Sequence, residues 1–342
     1  MRSIKRILSG FLCCVFVSAH ITAVTGLVGA PEAFKRGEVY SGGWEDRGNN
    51  ADRRKSRDSN LIWSVEEWDN VGEGQTRLLY KDYKKVTGKT YVPRNQGKAP
   101  SCVGQAVAAA VDFLAHVEIR AGDPERRPPA PAAAGCIYGL SRVEIGGLGL
   151  KAGGGSHTIW ACQAIQQYGV IARLNYPFLG HDLRQPSSER AIEFGATGLP
   201  TGLEMIAKIH PVKDYISVDS YEEARDCIYM GCPIAVGSSQ GFGEGRLTRD
   251  SDGFLNPPRR LLFPSTWNHC MTVIGVCDEG RKGVLILNSW GSSWVNGPYR
   301  FGDEPQGCFW VDADIFDKMC KQGDCFALRG FSGYPNYRLW RP

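Results

Sequence analysis

The chain has 342 residues, 42% of them hydrophobic and 22% charged, with a net charge of +4. That length and composition fit one large domain or two modest ones with a sizeable core. So small a charge gives no reason to expect nucleic acid or an anionic membrane surface as a partner.

Arg2, Lys5 and Arg6 precede an apolar stretch from Ile7 to Ala23, and Ala23, Gly26 and Ala30 supply small residues around a cleavage point. This is the pattern of an export signal, assigned to residues 1–26. An uncleaved anchor is the competing reading, but the stretch is slightly short for a span of about 20 residues and carries His20. No later segment reads as long and apolar enough to cross a bilayer. The processed protein is therefore expected free of the membrane and secreted or otherwise extracytoplasmic.

Residues 27–86 read as an N-terminal extension, partly disordered. The run from Gly48 to Asn60 is built of Asn, Asp, Arg, Lys and Ser and has almost no apolar residue. A short amphipathic stretch follows near Leu78 to Val86. From residue 87 to 342 the texture is that of a packed domain. Pro93 to Gly97 is a loop by composition. Ser101 stands where a helix N-cap belongs, and Val103, Val107, Val111, Leu114 and Val117 recur at helical spacing. Gly122 to Gly135 is a Pro- and Ala-rich loop. Ile159 to Tyr168 reads as a second helix, ended by Gly169. Beyond it come short β-rich runs at Pro233 to Gly237, Cys270 to Val276 and Val284 to Leu287. Helices first and strands later predict an α+β protein with a cleft between two lobes.

Of twelve cysteines, Cys13 and Cys14 lie inside the signal. Export makes bridges natural for the remainder, and Cys227 with Cys232, and Cys308, Cys320 and Cys325, are the candidate partners. The connectivity is open, and an odd thiol count after setting Cys102 aside leaves at least one more unpaired. Clustered cysteines also serve zinc, but no Cys-x-x-Cys pair occurs and no histidine accompanies the tail cysteines.

Cys102 opens the first helix, where unpaired amides and the helix dipole favour a thiolate. A small buried cysteine is the plain alternative. Gln96 lies six residues earlier, in a loop that can fold back and offer an amide to an oxyanion together with the Cys102 backbone N–H. His269 begins an apolar strand, which would hold an imidazole rigidly; a core histidine is the alternative. Asn288, just after the strand Val284 to Leu287, is a neutral amide able to fix the tautomer of an imidazole. Trp290 and Trp294 would shield that bond, or simply pack a turn.

Cys, His and Asn in this order, with Gln upstream, resemble papain-like cysteine proteases. Gln96 to Cys102 resembles that family's nucleophile loop, Asn268-His269 its base segment, and Asn288-Ser-Trp-Gly with Trp294 its most specific motif. Gly153 to Ser156, with Gln167-Tyr-Gly169 and Tyr176-Pro177, is similar to its substrate-binding stretch. The match covers about residues 92–312 and leaves 313–342 as a C-terminal addition.

The resemblance implies a papain-like two-lobe fold, with a helical left lobe and a β-barrel-like right lobe. It implies a peptidase acting on polypeptides with Cys102, His269 and Asn288 as catalytic residues. Gln96 and Cys102 would form the oxyanion hole, and Gly154, Gly155, Ser156 and Trp290 would bind substrate. No metal or organic cofactor is required. Ala99, Pro100 and Val103 depart from the pattern; they stand where the family has a bridged cysteine, a glycine and a tryptophan. They keep open an inactive binding or structural protein on the same scaffold. Transglutaminases and cell-wall amidases share Cys before His, but commonly use Asp or His as the third member.

Overall fold

The structure is a computed structural model and describes residues 69–122, 130–150, 154–243, 247–255, 268–331 and 333. The expected signal, the greater part of the extension and Gly153 lie outside these residues.

Seven strands form one antiparallel sheet. They are β1 (Thr76–Leu78), β2 (Val212–Ser217), β3 (Ile234–Ser238), β4 (His269–Cys277), β5 (Gly283–Leu287), β6 (Cys308–Asp312) and β7 (Asp324–Phe331). Their order is β6-β5-β4-β3-β7-β2, with β1 added beside β4. β3 pairs with the first half of β4, from His269 to Val273, and β1 takes up the second half from Gly275 to Cys277. Among the described residues the path is open at β6 and β2. Every residue of β4 is buried, as expected of a strand covered on both faces.

Helix α1 (Leu79–Thr87) follows β1 without a break, and Leu78, Leu79 and Tyr80 sit in the sheet's core. The boundary expected at residue 86 therefore falls inside packed structure. The tail behaves likewise: β7, beyond residue 312, lies between β3 and β2.

Helix α2 (Cys102–Gly122) is buried at every position from Cys102 to Val117. A helix that is apolar around its whole circumference belongs in a core or a membrane. By length and composition α2 would suffice to cross a bilayer, which corrects the expectation that no later segment would. Yet 89% of its most apolar window is buried inside the fold. One side packs on β4 and β7, and other sides meet α1 and α3 (Ala134–Gly139). Thr272 Oγ1 of β4 donates to the Ala106 carbonyl at 2.8 Å, tying helix to strand. Gly104 permits the close approach of α3: a Cβ there would stand 2.5 Å from the Ala134 carbonyl oxygen.

The helical lobe continues through α4 (Thr158–Gln167), α5 (Ser188–Thr197) and α6 (Thr201–Ala207). It has its own small core of Cys136, Leu140, Ile171, Leu183, Phe194 and Leu203, among others. Helices α7 (Tyr221–Tyr229) and α8 (Ala313–Cys320) pack with the sheet. The product is the expected α+β arrangement of a helical lobe and a sheet lobe.

The expected disulfides do not form. All ten cysteines from Cys102 to Cys325 are free and buried. Cys227 and Cys232 both belong to the sheet core, where they act as small apolar side chains. The Cys320 and Cys325 sulfurs lie 3.7 Å apart, within hydrogen-bond reach and outside bonding distance.

Candidate active site

The start of α2, the start of β4 and the turn after β5 converge. Backbone pairing does much of this. The Gln96 N–H donates to the Ser289 carbonyl at 2.9 Å, and the Gly291 N–H donates to the Arg94 carbonyl at 2.9 Å. Asn95 and Trp290 form an antiparallel bridge. The loop ahead of Cys102 is thus sewn to the segment holding Asn288.

Nε2 of His269 is 2.7 Å from Oδ1 of Asn288. An amide oxygen only accepts, so Nε2 carries the hydrogen, and in the neutral ring the lone pair is at Nδ1. The Ser289 backbone N–H also donates to the same Oδ1, at 2.7 Å, fixing the amide. The Trp290 ring stacks on the imidazole with centroids 4.6 Å apart and planes 29° apart. Trp294 meets Trp290 edge-on at 5.3 Å and donates its Nε1–H to the Gly307 carbonyl. Trp290 covers the imidazole, and Trp294 backs Trp290. Trp290, expected on the substrate side, has this imidazole as a face-on neighbour.

Cys102 is the first residue of α2 and is fully buried. Burial pushes its thiol up to about 12; backbone groups of Cys270, Val103 and Cys102 act the other way. The thiol therefore lies against the strand residue that follows His269. Helix-start amides act in the expected direction, but desolvation outweighs them, which corrects the expectation of a lowered thiol pKa. Burial likewise lowers His269 to about 4, against the raising effect of the Asn288 bond. In this closed arrangement both groups are neutral near pH 7.

Gln96 is buried. Its Oε1 accepts from Ser289 Oγ at 2.8 Å, and its Nε2 donates to the Ala99 carbonyl at 3.2 Å. Ser289, within the Asn-Ser-Trp-Gly motif, thus joins the expected site residues through Gln96. Ala99 and Val103, two of the departures, are both fully buried.

The glycine segment resolves into distinct roles. The Gly155 N–H donates to Tyr138 Oη at 3.3 Å, and its carbonyl accepts from Arg142 Nη1 at 2.8 Å. Ser156 is buried with its hydroxyl 2.9 Å from that of Ser141. Gly155 and Ser156 thus have their polar groups engaged internally, while Gly154 is exposed. Next to them, Asp324 of β7 accepts from the Thr158 and Ile159 N–H groups at the start of α4.

Three other histidines have contacts of their own. His116 Nδ1 contacts the Asp112 carbonyl within α2, His157 packs edge-on against Trp160, and His210 contacts the Gly333 carbonyl.

Solved structures share this architecture. Xylellain, a cysteine protease from Xylella fastidiosa, superposes with a TM-score of 0.58 at 18% identity, over 87% of this chain and 98% of that one. The chain has the papain-like fold. A recombinant stem bromelain precursor matches at a TM-score of 0.50 and 17% identity, over 85% of this chain and 77% of the precursor. No protein-family model and no curated protein matches the sequence.

Proposed function

We propose that this chain is a cysteine-type endopeptidase acting on polypeptides, with Cys102 as nucleophile, His269 as base and Asn288 as the residue that orients the base. The observation that carries the reading is the His269–Asn288 bond under the Trp290 ring, beside a cysteine at a helix start. The papain-like fold supports the same reading.

In the proposed reaction, His269 Nδ1 takes the thiol proton as Cys102 sulfur attacks a peptide carbonyl carbon. The carbonyl π electrons move to oxygen, and that oxyanion is met by the Gln96 side-chain amide and the Cys102 backbone N–H. The imidazolium returns its proton to the departing amine, leaving a thioester. Water, deprotonated by His269, releases the acid and restores the thiol. Because both groups are neutral in the closed cleft, proton transfer accompanies attack. The exposed Gly154 is the part of the glycine segment suited to pairing with an extended substrate. The apolar stretch behind Arg2, Lys5 and Arg6 supports export to an extracytoplasmic space.

The test is labelling with a peptidyl epoxide, followed by mass mapping. Stoichiometric modification at Cys102, lost in a folded His269→Ala variant, is expected. A folded protein that no such reagent labels would instead be a non-catalytic scaffold.

A further inference from the structure

Behind the loop that carries Gln96, within the helical lobe, lies a cavity of about 660 Å³. It borders neither Cys102 nor His269. Its size suits a small organic ligand, and its walls are largely apolar, with Tyr91, Pro131, Leu183 and Phe194 among them.

The charge on these walls is unbalanced. Three arginines, Arg94, Arg173 and Arg190, line the cavity against a single carboxylate, Asp112. That carboxylate is already committed: Arg94 Nη2 donates to its Oδ2 at 2.6 Å, Tyr91 Oη donates to the same atom at 2.9 Å, and the Ala132 N–H donates to Oδ1 at 2.8 Å. Arg94 has only 7% of its side chain exposed. Its Nε and Nη2 are used, on Tyr91 and on Asp112 with Ala132, while Nη1 engages no acceptor among the described residues.

Arg173 has one bond, from Nη2 to the Arg184 carbonyl, and its buried Nε has no partner. Arg190 forms no ion pair among the described residues. Asp182, a carboxylate on which its charge acts, is exposed and held in the fork of Arg184. Burial and the neighbouring Arg94 charge both lower the Arg173 pKa, as expected for like charges facing one space. Arg173 and Arg190 have no carboxylate partner among the described residues, and guanidinium charges so placed in a half-buried apolar pocket are costly unless an anion completes them.

We propose that this cavity is a binding site for a small organic oxyanion, an apolar body bearing a carboxylate or phosphate, held by Arg173, Arg190 and the free edge of Arg94. The planar guanidinium fork suits either oxyanion in a bidentate contact. The site is independent of the peptidase reading.

Titration calorimetry of the whole chain tests it with phenyl phosphate, phenylacetate and the neutral benzyl alcohol. One saturable site per chain for at least one anion, and none for benzyl alcohol, is expected; the tighter anion identifies the ligand's head group. Arg173→Gln and Arg190→Gln should each weaken that binding by about tenfold, with unchanged thermal unfolding. Failure of both anions to saturate at millimolar concentration overturns the proposal. So does equal binding of benzyl alcohol, or an unchanged affinity in the double variant.

Discussion

Ser289 Oγ donates to Gln96 Oε1 at 2.8 Å, so the residue after the histidine's partner also orients the amide ahead of Cys102. Gln96 cannot offer its Nε2 in a fixed direction unless Oε1 is held. Ser289→Ala is expected to lower kcat/KM on a fluorogenic peptide about tenfold, a loss of one net hydrogen bond. Gln96→Ala, which removes the oxyanion donor itself, should cost about 10²- to 10³-fold. A larger loss in the serine variant than in the glutamine variant would contradict the role given to Gln96.

The protonation of the resting pair has a kinetic signature. Burial pushes the Cys102 thiol up to about 12 and lowers His269 to about 4, so neutral thiol and neutral imidazole are the expected resting forms near neutrality. Alkylation by iodoacetamide, without peptide, should be slow at pH 7 and rise about tenfold per pH unit up to pH 10. A flat plateau of rapid alkylation between pH 4 and 8 would mean that thiolate and imidazolium already coexist.

His269 also links pH to stability. Its folded pKa lies below its unfolded value of about 6.5, so the fold prefers the neutral ring. That preference contributes fully above pH 6.5 and is lost as pH falls through about 4. The contribution is about 3 kcal/mol. His116 and His210, also lowered by burial, add loss in the same direction. Denaturant unfolding at pH 7 and pH 4 should show the fall, and His269→Gln should flatten part of it. An equal fall in that variant would remove His269 from the account.

Thiol accounting gives a covalent test. All ten cysteines from Cys102 to Cys325 are free, so each should alkylate in denaturant without reductant, as read by mass. In the folded protein burial should protect the other nine, with Cys102 the one that the peptidyl epoxide reaches. Any pair that alkylates only after reduction would restore the bridges expected from export.

Much of the site was legible in the sequence because its signals are local. The valine spacing after Ser101 marks α2, and Asn288-Ser-Trp-Gly holds the histidine's partner, its stacking ring and the serine on Gln96 within a few residues. The rest depends on contacts between distant segments. Thr76–Leu78 is a strand only because Gly275 to Cys277 offers an unpaired edge beyond β3. The glycine register is decided by Tyr138 and Arg142, which engage Gly155 and leave Gly154 exposed. Nothing near Cys227 or Cys320 in sequence says that these side chains fill a core instead of bridging. The thiol follows the same logic: helix position is local, but desolvation depends on the whole fold.

The placing of β7 between β3 and β2 bears on how the chain is made. Both neighbours precede it in sequence, so as the chain emerges from the ribosome their inner edges have no partner until Asp324 to Phe331 appears. A nascent chain lacking this strand presents bare backbone edges of the kind that pair promiscuously. Helix α2, which opens on Cys102 and packs on the same strand, has an incomplete floor for as long. Residues far from the cleft in sequence thus decide when the cleft first exists, which makes premature termination near residue 320 a route to aggregation and not merely to an inactive enzyme.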